Sequence, residues 1–335
     1  MIESRKINIY LVYKVLEEYT DLDHFLTMQE ISNKIKEMFG IELDRKSVGN
    51  TIQILEELDF DIISGPQGKG KALASRLFDK NEITFIIDGI FSSKAIEGKQ
   101  ANDIVKKLVE TLSIHDRKTF KYLFKTTEIN RTSNKNIFYN IEIIQEAIEK
   151  GQNIKFKYMT YNEKGEQIPR FNGYEYQVSP YYLINNFGRY YLLGYRRRHE
   201  YTNVYRIDLM EDVKIDEERK IRPITELPDY KNGFSISSYI NEHVYMFGGK
   251  SISVILKVNS AKAIQYIKDW FGDAAKIYNE NDQIMASFKC NEQAFFYWIM
   301  QYAEHFEVIS PESSRERIIQ CIDNLSKIYK KDKTE

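Results

Sequence analysis

Cysteine is nearly absent: Cys290 and Cys321 are the two in 335 residues, too few for a disulfide framework or a four-cysteine metal site. Proline is scarce as well, six in all, which argues against long disordered linkers. No run approaches the ~20 uninterrupted apolar residues of a membrane span, and the opening MIESRKINIY has no apolar signal core. A cytoplasmic location without membrane contact is the expectation. Charge of one sign is missing too, since 48 Lys and Arg oppose 49 Asp and Glu for a net of -1. No global basic field advertises nucleic acid, although a DNA reader needs only a local patch. The five histidines are scattered without an HExxH pattern, Ser179 lies in no G-x-S-x-G elbow, and neither cysteine has a neighbouring histidine motif. No catalytic residue, metal or cofactor is expected, and the chain is not expected to be an enzyme.

Aromatic side chains are what the sequence has in excess, with 24 Tyr and 19 Phe, nine of them between Phe171 and Tyr195. The length suits two or three domains. In the first eighty residues, Ile9, Val12, Val15, Leu16 and Tyr19 fall at helical spacing. Thr27 and Glu30 form a capping box ahead of Ile31, Ile35 and Met38, and Gly40 is placed to end that helix. Asp44 can cap a third helix whose apolar face is Val48, Ile52, Leu55 and Leu58. DFDIIS and SRLF then read as strands flanking GPQGKGKALA. Three helices and a hairpin is the order of a winged helix-turn-helix, taken as residues 1–79.

Residues 80–150 read as helical, a linker or dimerisation region. Between 151 and 220, five β-rich runs separated by turn signals such as Asn162-Glu163-Lys164-Gly165 suggest a small barrel. Residues 221–250 are irregular, a connecting segment. Residues 251–335 read strand, helix, strand, strand, helix, strand, helix. The fold class is therefore multidomain α+β.

The segment VSPYYLINNFGRYYLLGYRRRHEYTNVYRIDLMEDVKI, residues 178–215, resembles the WYL-domain transcriptional regulators of bacteria. Tyr190-Tyr191-Leu192 stands in the place of that family's Trp-Tyr-Leu signature, with Val178-Ser179-Pro180 and Tyr205-Arg206-Ile207-Asp208 at its other recognisable strings. Residues 76–96 resemble the family's helix after the wing, and WFGDAAKIY, AFFYWIMQYAEHFEVISPESSRERI and the closing helix its C-terminal extension. The resemblance implies an SH3/Sm-like barrel that senses a ligand, a ferredoxin-like βαββαβ extension, winged-helix DNA binding and a homodimer. Two departures are Tyr190 for the tryptophan and Leu209 where many members carry a second arginine.

Double-stranded DNA is the expected partner of the third helix and the hairpin. Arg45 and Lys46 would flank the groove, Asn50 and Gln53 would pair with adenine edges, and Gly49 would permit close approach. Lys69, Lys71 and Arg76 would grip the adjacent backbone. The plainer alternative is a solvated amphipathic helix beside a turn. Residues 1–80 carry 11 basic and 14 acidic side chains, so specificity must come from placed contacts rather than bulk attraction. Gly65 to Ala72 matches seven positions of a phosphate-binding P-loop, but Ala72 lacks the hydroxyl that would hold Mg²⁺, leaving nucleotide hydrolysis a remote alternative.

On the barrel, Ser179, Tyr181, Tyr191 and Arg206 could form an effector pocket with Arg170 and Arg196 at its rim. Stacking rings and a guanidinium suit a nucleotide or short single strand. Alternatively Arg206 simply pairs with Asp208, and the run Arg196-Arg197-Arg198 is a solvated turn. A single-strand-binding module acting through the barrel is the rival function. Arg315 and Arg317 either reach a partner protomer or face solvent.

Overall fold

The computed structural model describes residues 4–120, 134–197 and 199–330. They form two compact units, 1–133 and 134–335.

In the first unit α1 (Ser4–Tyr19), α2 (Met28–Phe39) and α3 (Arg45–Glu57) precede a short hairpin, β1 (Ile62–Ser64) and β2 (Lys71–Leu73). The local signals act as read. Thr27 and Glu30 close a capping box, Gly40 ends α2 in the left-handed region at φ 67°, and Asp44 caps α3 by accepting from the Lys46 and Ser47 amides. Leu11, Val12, Val15, Leu16, Ile31, Ile35, Val48, Ile52, Leu55 and Leu73 make one core. Each such side chain contributes about 1.5–3 kcal/mol by leaving water. Met38 and Leu58, expected inside, are exposed.

The second strand of the hairpin differs from expectation. SRLF, residues 75–78, lies outside it, and β2 begins at Lys71. Reciprocal backbone bonds between Leu26 and Lys71, at 2.8 and 3.0 Å, fix that register, and Ala74 N donating to Asp61 O ends the ladder. The tip is correspondingly tight. Pro66–Gly68 form a 3-10 turn, and Gly65 N donates to Gly70 O at 3.1 Å.

The 80–150 stretch, read as one linker, is divided between the units. α4 (Lys80–Ser92), α5 (Gly98–Glu110) and α6 (Ile114–Arg117) belong to the first, where Ile83, Ile87, Phe91, Val105, Val109, Leu112 and Phe120 form a second core. Arg117 forks onto Glu18 of α1 with two 2.7 Å bonds, and Ser113 Oγ donates to Asp21 Oδ2 at 2.6 Å.

α7 (Ile137–Lys150) belongs to the second unit. It packs on a six-stranded antiparallel sheet made of β3 (Gln152–Tyr161), β4 (Gln167–Pro169), β5 (Glu175–Asn186), β6 (Arg189–Arg196), β7 (Asn203–Arg206) and β8 (Met210–Lys220). The order is β4-β3-β5-β6-β7, with β8 also on β3. Buried Asn140 of α7 donates to Met210 O at 3.0 Å. The segment 221–250, with α8 (Ile236–Glu242), is no free connector: Leu227 packs on Tyr181 and Tyr195, and Tyr239 and Met246 on Ile184 and Leu193.

A second antiparallel sheet follows, ordered β10 (Lys276–Glu280), β11 (Gln283–Asn291), β9 (Ser251–Val258), β12 (Phe306–Ser310). α9 (Ile264–Phe271) joins β9 to β10 and α10 (Glu292–Gln301) joins β11 to β12, over a core built on Phe271, Phe288, Phe295 and Trp298. α11 (Glu312–Lys330) closes the described chain. Among the described residues no helix is long and apolar enough to cross a membrane.

Candidate functional site

α3 presents a clean division of faces. Val48, Thr51, Ile52 and Leu55 are buried, while Arg45, Lys46, Asn50 and Gln53 are exposed. Among the described residues, none of those four side chains has a hydrogen bond or ion pair, and nothing stands within 4 Å of the space a Cβ on Gly49 would occupy. Lys69 at the turn is exposed and unpaired in the same sense. Two expected contacts are otherwise engaged. Lys71 Nζ pairs with Glu56 at 2.8 Å. Arg76 turns inward and donates to the carbonyls of Thr20 and Thr111, and burial lowers its pKa. Arg76 therefore closes the packing of its own unit rather than a DNA contact, because two backbone acceptors claim its guanidinium.

The Gly65–Ala72 loop has no phosphate cradle. A Cβ at Gly65 would lie 2.2 Å from Lys69 O, and Phe25 packs against both Gly65 and Gly70. A strand rather than a helix follows, and Lys71 is held by Glu56.

On and beside the first sheet of the second unit, the six expected effector residues separate into three arrangements. A bulge in β5 between Pro180 and Tyr182 and the alternation of side chains along each strand direct them apart. Ser179 and Tyr181 meet around Arg222. The Ser179 hydroxyl donates to Asn153 Oδ1 at 2.7 Å and accepts from Arg222 N at 3.1 Å, while the Tyr181 hydroxyl donates to Arg222 O at 2.7 Å. Burial raises the Tyr181 pKa. Arg222 in turn donates to Tyr195 Oη at 2.8 Å and pairs with Glu226 at 3.2 Å. Beside them opens a cavity of about 530 Å³ bordered by Asn153, Gln177, Ser179, Tyr195, Arg197, Glu218, Arg219, Lys220 and Arg222.

Tyr191 and Arg206 form the second arrangement, opposite one another on β6 and β7. Arg206 grips Asp208 with two nitrogens, and Arg189 reaches the same carboxylate at 2.9 Å. Those hydrogen bonds raise the pKa of Arg206. The Arg206 amide donates to Tyr158 Oη at 3.1 Å. Leu209 is buried and belongs to the core.

Arg170 and Arg196 belong to the third. Arg196 lies over Tyr174 and Tyr176 at 5.1 and 5.0 Å, and Arg170 over Phe171 at 4.8 Å. Phe171, Asn172 and Gly173 are successive left-handed residues, with φ of 50°, 54° and 80°, which leave the Phe171 ring exposed. Arg315 and Arg317 are held within the chain, by Glu307 and Val308 O and by Gln293 and the Phe296 ring respectively. Arg198 lies outside the described residues.

The residues missed by sequence reasoning are Arg189, Arg219, Lys220 and Arg222. The basic string ERKIR, which ends β8 and runs two residues past it, is legible in the sequence, but which strand faces it depends on the β3–β8 pairing across about 60 residues. Among the described residues no group of three or more His, Cys, Asp or Glu is placed to hold a metal.

Residues 139–215, from α7 to β8, match the family model of the WYL domain. No curated protein matches the sequence significantly. Among solved structures, the chain is similar to proteasome accessory factor B/C (PafBC) of Arthrobacter aurescens at 13% identity and a TM-score of 0.31, covering 95% of this chain and 48% of that one. It thus spans about half the length of PafBC. It is also similar to a CRISPR Cas-related protein known from a crystal structure, at 12% identity and a TM-score of 0.39, covering 99% of this chain and 85% of that one. Neither likeness bears on function at these values.

Proposed function

Residues 139–215 are a WYL domain, and from that premise we propose that the chain is a DNA-binding transcriptional regulator without enzymatic activity. Residues 1–79 act as a winged helix-turn-helix with α3 as the recognition helix, and the protein works as a homodimer on a two-fold operator. The antiparallel βαββαβ succession from β9 to β12 is the ferredoxin-like extension, and the first sheet is the SH3/Sm-like barrel that takes an effector. An effector that prefers one dimer arrangement shifts the operator affinity by its differential binding.

The observation that carries this reading is the exposed face of α3, where Arg45, Lys46, Asn50 and Gln53 have no side-chain partner among the described residues. Amide and cationic side chains on one exposed helix face match base edges and phosphates. The test is fluorescence anisotropy with duplex DNA from upstream of the gene, beside scrambled and single-stranded versions across a salt series. A preference of about 10³ or more for the specific duplex is expected. Equal binding of scrambled duplex overturns sequence-specific regulation.

The exposed Phe171 and Tyr174 beside Arg170 and Arg196 favour a second reading, single-stranded nucleic acid on the barrel. Tighter binding of the single strand than of any duplex in the same assay would select it.

A further inference from the structure

The cavity beside Ser179 lies between β3, β5, β6 and the end of β8, and its volume of about 530 Å³ is in the range of small-molecule sites. Its hydrogen-bonding capacity is one-sided. The Ser179 hydroxyl is engaged by Asn153 and the Arg222 amide. Gln177 has both ends of its amide occupied, the nitrogen by Asp216 and the oxygen by Arg219 Nη1 at 2.6 Å. Arg222 is held by Tyr195 and Glu226. What remains free is almost entirely donors: the Asn153 amide nitrogen, the Tyr195 phenol proton and the other nitrogens of Arg219. Arg197 and Lys220 add a guanidinium and an ammonium without an acidic partner among the described residues. Glu218 is the one carboxylate in the lining.

We propose that this cavity binds a small phosphorylated molecule bearing at least two negative charges, with Arg197, Arg219 and Lys220 on the phosphate and Asn153 and Tyr195 donating to the rest of the ligand. Three cations against one carboxylate leave an excess of positive charge that an uncharged ligand would not compensate. Arginine forks onto two phosphate oxygens while lysine supplies a point charge, so the set matches a phosphate ester or a diphosphate. The volume leaves room for a body beyond the phosphate. The site names the ligand class of the proposed effector domain and rests on that reading for its regulatory meaning, whereas binding itself is measurable without DNA.

The experiment is isothermal titration calorimetry of the full chain with inorganic pyrophosphate, AMP and ribose 5-phosphate, with sodium sulfate at matched ionic strength as the control. Binding of at least one phosphate compound at one per chain, absent with sulfate, is expected. Arg219→Gln with Lys220→Gln should weaken it about tenfold or more in a variant that still melts cooperatively, because both side chains are exposed. Pyrophosphate binding as tightly as AMP assigns recognition to the phosphates; AMP or ribose 5-phosphate binding more tightly assigns part of it to the body, and either result supports the site. Lys46→Ala with Gln53→Ala should leave all of these affinities unchanged. No heat with any of the three compounds, or equal affinity in the Arg219 and Lys220 double variant, overturns the proposal. Failure of the wild-type chain to select a duplex would remove the regulator reading and leave the calorimetric result standing.

Discussion

Arg206 and Asp208, two residues apart, form a two-point ion pair where β7 leaves the sheet: Nε to Oδ1 at 3.1 Å and Nη2 to Oδ2 at 2.7 Å. Asp208 is 6% exposed and shares its carboxylate with Arg189, so the arrangement keeps one net positive charge beside Tyr191. Removing Arg206 leaves a buried carboxylate with one cation in place of two. Arg206→Ala should destabilise the protein by about 1.5–3 kcal/mol in urea denaturation, the usual loss for hydrogen bonds to a charged group. An unchanged midpoint would mean the pair is incidental to the fold and the guanidinium is free to serve a ligand.

Ser179 ties two strands to Arg222, two residues past the end of β8. Its hydroxyl bridges Asn153 and the Arg222 amide from a nearly fully buried position. Ser179→Ala leaves that amide without its acceptor, and a loss of about 1–3 kcal/mol is expected from the melting curve. A loss below the error of the measurement would show that water replaces the hydroxyl.

Gly194 in β6 has no room for a side chain. A Cβ there would sit 2.5 Å from Val178 Cγ1 and 2.9 Å from Ser179 O. Gly194→Ala should therefore lower stability by about 1–3 kcal/mol through overpacking, although alanine is otherwise the better residue for ordering a chain. A stabilised variant would contradict the close approach of β5 and β6.

His243 gives the second unit a pH dependence. Its ring is stacked on Tyr239 at 3.8 Å, with Nδ1 at 2.7 Å from Phe247 O, and burial lowers its pKa from the ordinary 6.5 against the opposing pull of that carbonyl. Between the lowered folded value and 6.5 the unfolded chain holds the extra proton. The stability contributed by the neutral ring is complete above that window and is lost as pH falls through it. Melting temperatures measured downward from pH 7 should fall more steeply for the wild type than for His243→Gln. Parallel curves would remove His243 as the cause.

Local chemistry made much of the first unit readable from sequence. Thr27, Glu30, Gly40 and Asp44 act within four residues of themselves, and their caps appear where spacing placed them. The apolar stripes of α1 to α3 were legible for the same reason. SRLF was misassigned because the hairpin's register is set from outside it, by Leu26 against Lys71. Arg76 looked like a free cation until the carbonyls of Thr20 and Thr111, 56 and 35 residues away in sequence, were placed beside it. Five of the six expected effector residues stand on one sheet and Arg170 in the turn after β4, and a bulge at Pro180–Tyr182 with strand alternation distributes them over separate surfaces. Residues 80–150 hold three runs of the same helical period, and that shared period does not say which of them belongs to which unit.

The central claim is that the exposed face of α3 selects a DNA sequence. Lys46→Ala with Gln53→Ala removes two unpaired, exposed side chains and should change stability by no more than about 0.5 kcal/mol. Anisotropy titrations of this double variant against the upstream duplex and its scrambled counterpart, beside the wild type, test the claim most directly. A strong preference in the wild type and near-equal affinity for the two duplexes in the variant are expected. An undiminished preference in the folded variant would contradict it and move sequence reading away from α3.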